Sequence, residues 1–343
     1  MKIVYTPTHA AHGVKSEFDG VRQIPAYEVP VRAENVLAAC RARKLGPVLP
    51  PKDFGLAPVF RVHDRAFVEF VRTAHQKFLD KHGGDVIEAF PSSWPARRLR
   101  QIPGEDIDGV MGYYCFDSAT PILAGTWAAA LDAVNCALTA AELAAQTGAR
   151  AFALCRPPGH HAAQDLYGGY CFFNNAAVAA QWLTDRGRRI AILDVDYHHG
   201  NGTQEIFYRR DDVLTVSVHA DPARAYPHFL GYADERGEGA GEGFNENVPL
   251  PFGTAWTEYS GALRGALDKV AAFGPDIVVV ALGLDTYAED PIAKFRLVKD
   301  DYFKLGRSIA GLRKPVLFTM EGGYNLDALG DITANVLEGF LNG

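Results

Sequence analysis

Aspartates and histidines lie close together in one short segment, residues 193–202, which carries the strongest chemical signal in the sequence. The segment follows an apolar run, residues 190–193, whose composition predicts a buried strand. Carboxylate oxygen and imidazole nitrogen are ligands that a borderline divalent metal accepts. Because side chains two residues apart on an extended chain point to the same side, Asp196 and His198 are predicted to bind one ion, with Asp194 behind them.

Three other apolar runs have the length of buried strands and end in residues that suit the same site. In chain order they lead to His160 and His161, to Asp285, and through two glycines to Tyr324. Ligands of open α/β sheets bind beyond the carboxyl ends of the strands. We therefore predict that the four strand ends converge on one site.

The combined residues predict metal-assisted hydrolysis of an amide or an ester. Asp196, His198 and Asp285 supply three ligands, which leaves the open coordination position that is typical of a catalytic metal. Such a metal polarises a carbonyl group and lowers the pKa of water, and a nearby histidine takes the proton of that water. His160 and His161 are the candidates for this base.

Tyr324 is predicted to stabilise the developing oxyanion, because the two preceding glycines let the backbone approach closely. Each residue alone also has an ordinary structural explanation. An aspartate at a strand end, such as Asp194, often only accepts hydrogen bonds from loop amides. The convergence of four strand ends is what favours catalysis over a structural role.

Strand-like and helical segments alternate along the chain, which predicts a parallel sheet with helices on both faces. Six segments have helical spacing or composition: 65–79, 127–148, 175–186, 256–273, 300–312 and 326–341. Residues 212–218 are a further strand candidate. Because the polar strand ends must converge, we predict one domain over residues 1–343. Two long stretches without a regular pattern, 83–122 and 221–251, are predicted to be lids or interface segments.

The composition indicates a globular protein of the cytoplasm, with 48% hydrophobic residues. The five cysteines are an odd number without a Cys-x-x-Cys pair, which fits a reducing compartment. No signal-peptide pattern is found, and no apolar run approaches the roughly 20 residues that span a bilayer. The net charge of −7 argues against nucleic acid or a membrane as partner and suits a cationic substrate.

The sequence resembles the histone deacetylase and arginase superfamily, and within it is most similar to the acetylpolyamine amidohydrolases. The resemblance covers essentially the whole chain and rests on long, specific motifs. They include Arg-Pro-Pro-Gly-His-His, Gly-Gly-Tyr-Cys-Phe-Phe-Asn-Asn and Asp-Val-Asp-Tyr-His-His-Gly-Asn-Gly. The motifs lie at residues 156–161, 168–175, 193–203, 221–232, 283–285 and 320–324.

This resemblance implies an α/β fold, a three-layer αβα sandwich with an eight-stranded parallel sheet. It implies one Zn²⁺ per chain, with Fe²⁺ or Co²⁺ as alternatives, bound by Asp196, His198 and Asp285. A structural K⁺ is also typical of deacetylases of this type. The resemblance places it, mainly through backbone carbonyl groups, at Asp194, Asp196, His198, Ser217 and Val218.

The resemblance also assigns the catalytic roles. His161 is implied to be the general base and then the general acid, and His160 an electrostatic helper held by Asp194. Tyr324 is implied to donate a hydrogen bond to the carbonyl oxygen of the substrate. Asn201 stands where histone deacetylases usually have an aspartate, and its amide oxygen still accepts the imidazole N–H and fixes the tautomer.

Several positions match the polyamine branch. Tyr170 and Tyr226 are implied to be aromatic tunnel walls, suited to a methylene chain and to cation–π contact with an ammonium group. Asp108 is implied to pair with the distal ammonium, whereas Ala119 stands where a second acidic residue is expected. The insert at about 83–122 is implied to form a homodimer interface and to narrow the tunnel.

The leading hypothesis is the removal of acetyl groups from N-acetylated polyamines of the acetylputrescine, acetylcadaverine or acetylspermidine type. Three alternatives stay open. The first is a deacetylase of acetyl-lysine in proteins, with the same chemistry. The second is an arginase-like two-metal ureohydrolase, less favoured because the aspartate expected after the histidine is missing. The third is a binding protein without catalytic activity.

Overall fold

The computed structural model describes residues 1–84, 87–96, 98–147 and 150–343. Ten strands lie in this part of the chain: β1 (Lys2–Val4), β2 (Ser16–Phe18), β3 (Gln23–Pro25), β4 (Val48–Leu49), β5 (Ala151–Ala153), β6 (Ile190–Asp194), β7 (Val213–Ala220), β8 (Asn245–Leu250), β9 (Ile277–Leu282) and β10 (Val316–Met320). Eight of them form one sheet in the order β4-β1-β5-β10-β9-β6-β7-β8, and every neighbouring pair is parallel. Strands β2 and β3 form a separate antiparallel hairpin.

Nine α-helices lie in the same described residues: α1 (Val31–Ala42), α2 (Arg65–His82), α3 (Ile107–Tyr113), α4 (Thr126–Thr147), α5 (Asn175–Thr184), α6 (Asn201–Phe207), α7 (Trp256–Phe273), α8 (Lys299–Ala310) and α9 (Leu326–Leu341). Helices α2, α4 and α5 contribute to one hydrophobic core, and α1, α7, α8 and α9 to another. Strand β9 separates the two, because Val279 belongs to the first core whereas Val278 and Val280 belong to the second. The predicted three-layer αβα sandwich is confirmed.

Helix α4 illustrates how an apolar segment is used inside this fold. By length and composition alone, Thr126–Gln146 could cross a membrane, but 67% of its most apolar window is buried inside the protein. The sequence analysis overlooked this span because Asp132 and Glu142 interrupt the apolar residues. Burial of this extent is typical of a helix in the core of a globular protein.

The boundaries of most predicted elements agree with the structure to within a few residues. The helices predicted over 256–273 and 326–341 agree at both ends. Residue 148, the end of another predicted helix, and residues 85, 86 and 97 of the insert lie outside the described residues. Helix α1 was missed, although its buried residues Ala33, Val36, Leu37 and Cys40 have helical spacing. Of the two stretches without a regular pattern, residues 83–122 contain α3 and residues 221–251 contain β8.

Candidate active site

Four adjacent strands in the middle of the sheet, β5, β10, β9 and β6, end at one place. The loops that follow them carry, in this order, His160 and His161, Tyr324, Asp285, and Asp196 with His198. Because all four strands are parallel, their carboxyl ends share one edge of the sheet. The structure therefore brings together residues that are up to 164 positions apart in the sequence, from His160 to Tyr324.

Asp196, His198 and Asp285 are buried, and their ligand atoms lie within 4.8 Å of one another. The Nδ1 atom of His198 is 2.9 Å from Oδ2 of Asp285 and 3.3 Å from Oδ1 of Asp196. Two carboxylates and one imidazole at these distances fit a single divalent cation with metal–ligand distances of about 2.0–2.2 Å. This donor set, with oxygen and nitrogen but no sulfur, accepts Zn²⁺ and Fe²⁺ alike.

Backbone amides hold the two carboxylates in place. The N–H of Gly322 donates to Oδ2 of Asp196 at 2.8 Å, and the N–H of Tyr197 donates to Oδ1 of Asp285 at 2.9 Å. A β-carbon at Gly322 would lie 2.6 Å from Oδ2 of each aspartate. Only glycine fits at this position. Gly322 therefore has two roles, since it holds the carboxylates in place and lets the backbone approach closely before Tyr324.

The electrostatics of the three residues favour a bound cation. Burial and the nearby charge of Asp196 raise the pKa of Asp285 to about 6. Burial alone would lower the pKa of His198, but hydrogen bonds and charge from Asp196 and Asp285 raise it to about 9. Two buried carboxylates thus need positive charge at this point, and a divalent cation supplies it.

His160 is held by a carboxylate behind the site. Its Nδ1 atom is 3.0 Å from Oδ2 of Asp194, and its Nε2 atom is 3.9 Å from Oδ1 of Asp196. Burial opposes protonation, but the charges of Asp196 and Asp194 raise the pKa of His160 to about 10. His160 is therefore suited to hold positive charge rather than to accept a proton at neutral pH.

His161 has the opposite character. Its Nδ1 atom is 2.7 Å from Oδ1 of Asn201, and Nδ2 of Asn201 donates to the carbonyl oxygen of His161 at 3.3 Å. This arrangement places the imidazole proton on Nδ1 and leaves Nε2 unprotonated. Burial and the positive charges of His160 and His198 lower the pKa of His161 well below its usual range. A neutral imidazole is the form that acts as a general base.

Tyr324 lies on a loop that other residues fix. Its backbone N–H donates to Oδ2 of Asp290 at 2.8 Å. The guanidinium of Arg32 lies 4.6 Å from the centre of the Tyr324 ring and donates hydrogen bonds to two carbonyl oxygens of the same loop. Only 7% of Tyr324 is exposed, and that part faces a cavity. The placement fits a hydroxyl that contacts a substrate carbonyl group.

This cavity has a volume of about 230 Å³ and is lined by His161, His198 and Tyr324. Aromatic and acidic side chains form much of the remaining wall. No lysine or arginine is among its lining residues in the described part of the chain. The cavity thus leads to the predicted catalytic residues and is lined by acidic side chains.

Tyr170 and Tyr226, the predicted aromatic walls, both line the cavity. The ring of Tyr226 lies edge-on to that of His161, with 5.2 Å between the centres. The ring of Tyr170 lies 5.7 Å from that of Tyr324. Tyr170 has a φ of 66°, a left-handed conformation that is uncommon for a residue with a large side chain. Its backbone N–H donates to Oγ1 of Thr120 at 2.9 Å, which holds this conformation.

Three carboxylates of the cavity wall, Glu17, Asp19 and Asp117, were missed by the sequence analysis. The hydroxyl of Tyr170 donates to Oε1 of Glu17 at 2.8 Å, and that of Tyr226 donates to Oδ2 of Asp117 at 2.7 Å. Burial raises the pKa of Glu17 to about 7. No motif marks Glu17, which lies on the separate hairpin. The resemblance to the polyamine branch predicts an acidic residue at position 119, where this chain has Ala119. Asp117 lies only two residues before it, so moving the expected position by two residues would have identified Asp117.

Asp108, which was predicted to pair with the distal ammonium group, is not among the residues that line this cavity. It lies in the first turn of α3. Its carboxylate is 2.8 Å from Nζ of Lys81 and 2.7 Å from Nε2 of His82. Glu17 and Asp117 differ from Asp108 in that their side chains line the cavity.

The residues predicted to surround K⁺ lie next to one another. Asp194 at the end of β6 pairs in register with Ser217 on β7, and Val218 follows it. The Oδ1 atom of Asp194 accepts the N–H of Asp196 at 3.0 Å. The Oγ atom of Ser217 is 2.8 Å from Nδ1 of His219. The structure therefore groups Asp194, Ser217 and Val218 at the carboxyl edge of the sheet, close to Asp196.

Known proteins are similar to this chain in sequence and in fold. Residues 26–340 match the histone deacetylase domain family. The chain is 51% identical over 345 residues to acetylpolyamine amidohydrolase 1 of Pseudomonas aeruginosa, with 99% of each chain covered. It is 39% identical over 229 residues to histone deacetylase 8 of Arabidopsis thaliana, with 63% of this chain and 60% of that protein covered. The crystal structure of an acetylpolyamine aminohydrolase from Burkholderia pseudomallei matches with a TM-score of 0.94 at 38% identity, covering 99% of this chain and 98% of that one.

The two kinds of relative differ in how much of the chain they share. The likeness to the histone deacetylase covers about two thirds of the chain, whereas the likeness to the amidohydrolases runs from end to end. The chain therefore belongs to the histone deacetylase family, in the group of the acetylpolyamine amidohydrolases.

Proposed function

We propose that this protein removes acetyl groups from small N-acetylated polyamines, such as acetylputrescine, acetylcadaverine or acetylspermidine, by metal-dependent hydrolysis. The observation that carries the proposal is the acidic cavity above the catalytic residues. Glu17, Asp19 and Asp117 line it, and no basic residue does so in the part of the chain that the structure describes. A cationic amine gains charge-assisted hydrogen bonds in such a cavity.

The cavity wall suits a slim cationic chain. Because the hydroxyls of Tyr170 and Tyr226 already donate to carboxylates, the wall offers mainly acceptor oxygen atoms to a ligand. Their rings provide apolar surface for methylene groups and cation–π contact for an ammonium group. We assign the binding of the distal ammonium to Glu17 and Asp117.

Bound at Asp196, His198 and Asp285, a divalent metal supplies Lewis acidity for the acetyl carbonyl group and for water, and we propose Zn²⁺ for this role. His161 accepts the proton of the attacking water at Nε2, while Asn201 holds the tautomer that makes this possible. The same histidine then returns the proton to the nitrogen of the leaving amine.

Two other residues stabilise the charge that develops on the substrate. His160, held by Asp194, keeps positive charge beside the site. Tyr324 donates a hydrogen bond to the substrate oxygen as negative charge develops on it. Burial raises the pKa of Tyr324 well above its usual range, so the hydroxyl keeps its proton.

Deacetylation of acetyl-lysine in proteins is the second candidate, because the same residues perform it and a histone deacetylase shares part of the chain. The β2–β3 hairpin disfavours it, since this hairpin forms one wall of the cavity and supplies Glu17 and Asp19, which suit a small cationic amine. A two-metal ureohydrolase needs a second set of ligands, and within the described residues Asp196, His198 and Asp285 are the one group found. A role without catalysis leaves the complete set of catalytic residues unexplained.

We also propose that the chain works as one domain and forms a homodimer through residues 83–122. The support is that Ile87, Trp94, Leu99 and Ile102 are exposed in this one segment, and exposed apolar surface marks association sites. A cytoplasmic location is supported by the five cysteines, which are all free and buried. We further propose that a structural K⁺ binds at Asp194, Asp196, His198, Ser217 and Val218.

Metal removal tests the proposed reaction. The protein is stripped with a chelator, reloaded separately with Zn²⁺, Fe²⁺ and Co²⁺, and assayed for acetate release from acetylputrescine. We expect no turnover without metal and recovery with roughly one equivalent per chain. Full activity of the stripped protein, or no activity with any metal, would contradict the proposal.

A further inference from the structure

The β2–β3 hairpin forms a wall of the cavity although it is not part of the main sheet. Glu17, Phe18 and Ile24 from its strands and Asp19 from its turn line the cavity. A two-stranded hairpin alone is marginally stable in water. Contacts with other parts of the protein must therefore set its position.

One carboxylate from the insert supplies several of these contacts. Glu88 accepts hydrogen bonds from the backbone N–H groups of Lys15 at 2.7 Å and Ser16 at 3.2 Å, and from the hydroxyl of Ser16. Two residues further on, Phe90 packs edge-on against Phe18, with 5.0 Å between the ring centres. The insert thus holds the start of β2 in place through Glu88 and Phe90.

Glu88 is itself anchored to the core. The next residue, Ala89, exchanges two backbone hydrogen bonds with Ile122, at 3.0 and 2.9 Å, shortly before α4 begins. The carbonyl oxygen of Ile87 lies 3.0 Å from Nε2 of His75 on α2. The segment around Glu88 therefore connects α2 and the residues before α4 to the hairpin.

At the other side of the hairpin, the contacts lead to the substrate. Glu17 accepts the hydroxyl of Tyr170 at 2.8 Å and the backbone N–H of Tyr27 at 3.0 Å. A hydrogen bond weakens steeply when its atoms move apart, so a displacement of β2 would change the position of Glu17 relative to Tyr170. The position of β2 thus determines where the carboxylate of Glu17 lies in the cavity.

We propose that Glu88 is a positioning residue, which sets the place of the hairpin wall and thereby the binding of the distal, cationic part of the substrate. Glu88 does not line the cavity, so it acts through the hairpin and not by contact with the ligand. The effect on substrate binding rests on the proposed function, whereas the hold on the hairpin does not. Glu88 should therefore affect KM and leave the chemical step at the acetyl group unchanged.

Kinetics of Glu88→Ala test the effect on the substrate. We expect the KM for acetylputrescine to rise roughly threefold to tenfold, with kcat changed by less than about twofold and full metal content. N-methylacetamide lacks the distal cationic part of the substrate, and its turnover should not change. Glu88→Gln keeps one acceptor oxygen and should have a smaller effect in the same direction. Glu105→Ala removes an exposed glutamate of the same insert and should behave as the wild type.

Hydrogen exchange tests the hold on the hairpin without any substrate. The amides of residues 16–25 should exchange faster in Glu88→Ala, but not in Glu105→Ala. Unchanged exchange and unchanged KM would overturn the proposal, and so would an equal loss of activity on acetylputrescine and N-methylacetamide. If the wild type hydrolyses no acetylated amine, the proposed substrate is wrong, and hydrogen exchange still decides whether Glu88 holds the hairpin.

Discussion

Asparagine in place of Asp117 removes one negative charge from the cavity while it keeps the size of the side chain. A hydrogen bond to a charged group contributes about 1.5–3 kcal/mol. The hydroxyl of Tyr226 and the backbone N–H of Gly169 already bind Oδ2 of Asp117 and share its charge, so we take about 2 kcal/mol for the contact with the ligand. This corresponds to a decrease of roughly 30-fold in kcat/KM for acetylputrescine in Asp117→Asn.

A matched pair of substrates separates the charge effect from general damage. N-pentylacetamide has the chain length of acetylputrescine but ends in a methyl group in place of the ammonium. Any loosening of the loop around Asp117 lowers the activity on both substrates, so the ratio of the two kcat/KM values isolates the lost charge. We expect this ratio to fall roughly 30-fold.

Asp108→Asn is the control for this experiment, because Asp108 binds Lys81 and His82 outside the cavity. Its substrate ratio should equal that of the wild type. The reasoning is refuted if the ratio of Asp117→Asn stays within about twofold of the wild-type value, or if Asp108→Asn lowers it equally.

Three further variants test the metal, the oxyanion contact and the titration of the wall. Asp285→Ala should lose both metal and turnover, and a full equivalent of metal by elemental analysis would contradict the ligand assignment. Tyr324→Phe should keep its metal but lower kcat on the order of 10²-fold, and an unchanged kcat would show that the hydroxyl does not contact the substrate. Because burial raises the pKa of Glu17 to about 7, its carboxyl is mostly neutral below that pH and mostly anionic above it. The acetylputrescine to N-pentylacetamide ratio of kcat/KM should therefore rise as the pH increases through about 7, and a rise that persists in Glu17→Gln would exclude Glu17 as its source.

The grouping of the candidate metal ligands could be predicted because it follows from local sequence patterns. Asp196 and His198 follow one strand directly, and Asp285 follows another. Parallel strands bring such loops to one edge of the sheet, so the convergence follows from the fold class alone. The sequence motifs and the physical argument therefore pointed to the same residues.

The cavity wall could not be predicted in the same way, because tertiary contacts determine it. Glu17 reaches Tyr170 only because a hairpin outside the main sheet is held against the core. The ion pairs of Asp108 could not be predicted for a similar reason, since its partners Lys81 and His82 lie on a different helix, α2. Side-chain contacts between two separate elements cannot be predicted from the spacing of residues within either element.

The measurement that tests the central claim most directly is the ratio of kcat/KM for acetylputrescine to that for an acetyl-lysine peptide, with the metal-loaded wild-type protein. A cavity of about 230 Å³ that is lined by Glu17 and Asp117 predicts that the small cationic amine is preferred by at least about tenfold. Equal or faster turnover of the peptide would contradict the account, because the hairpin wall would then not restrict the substrate.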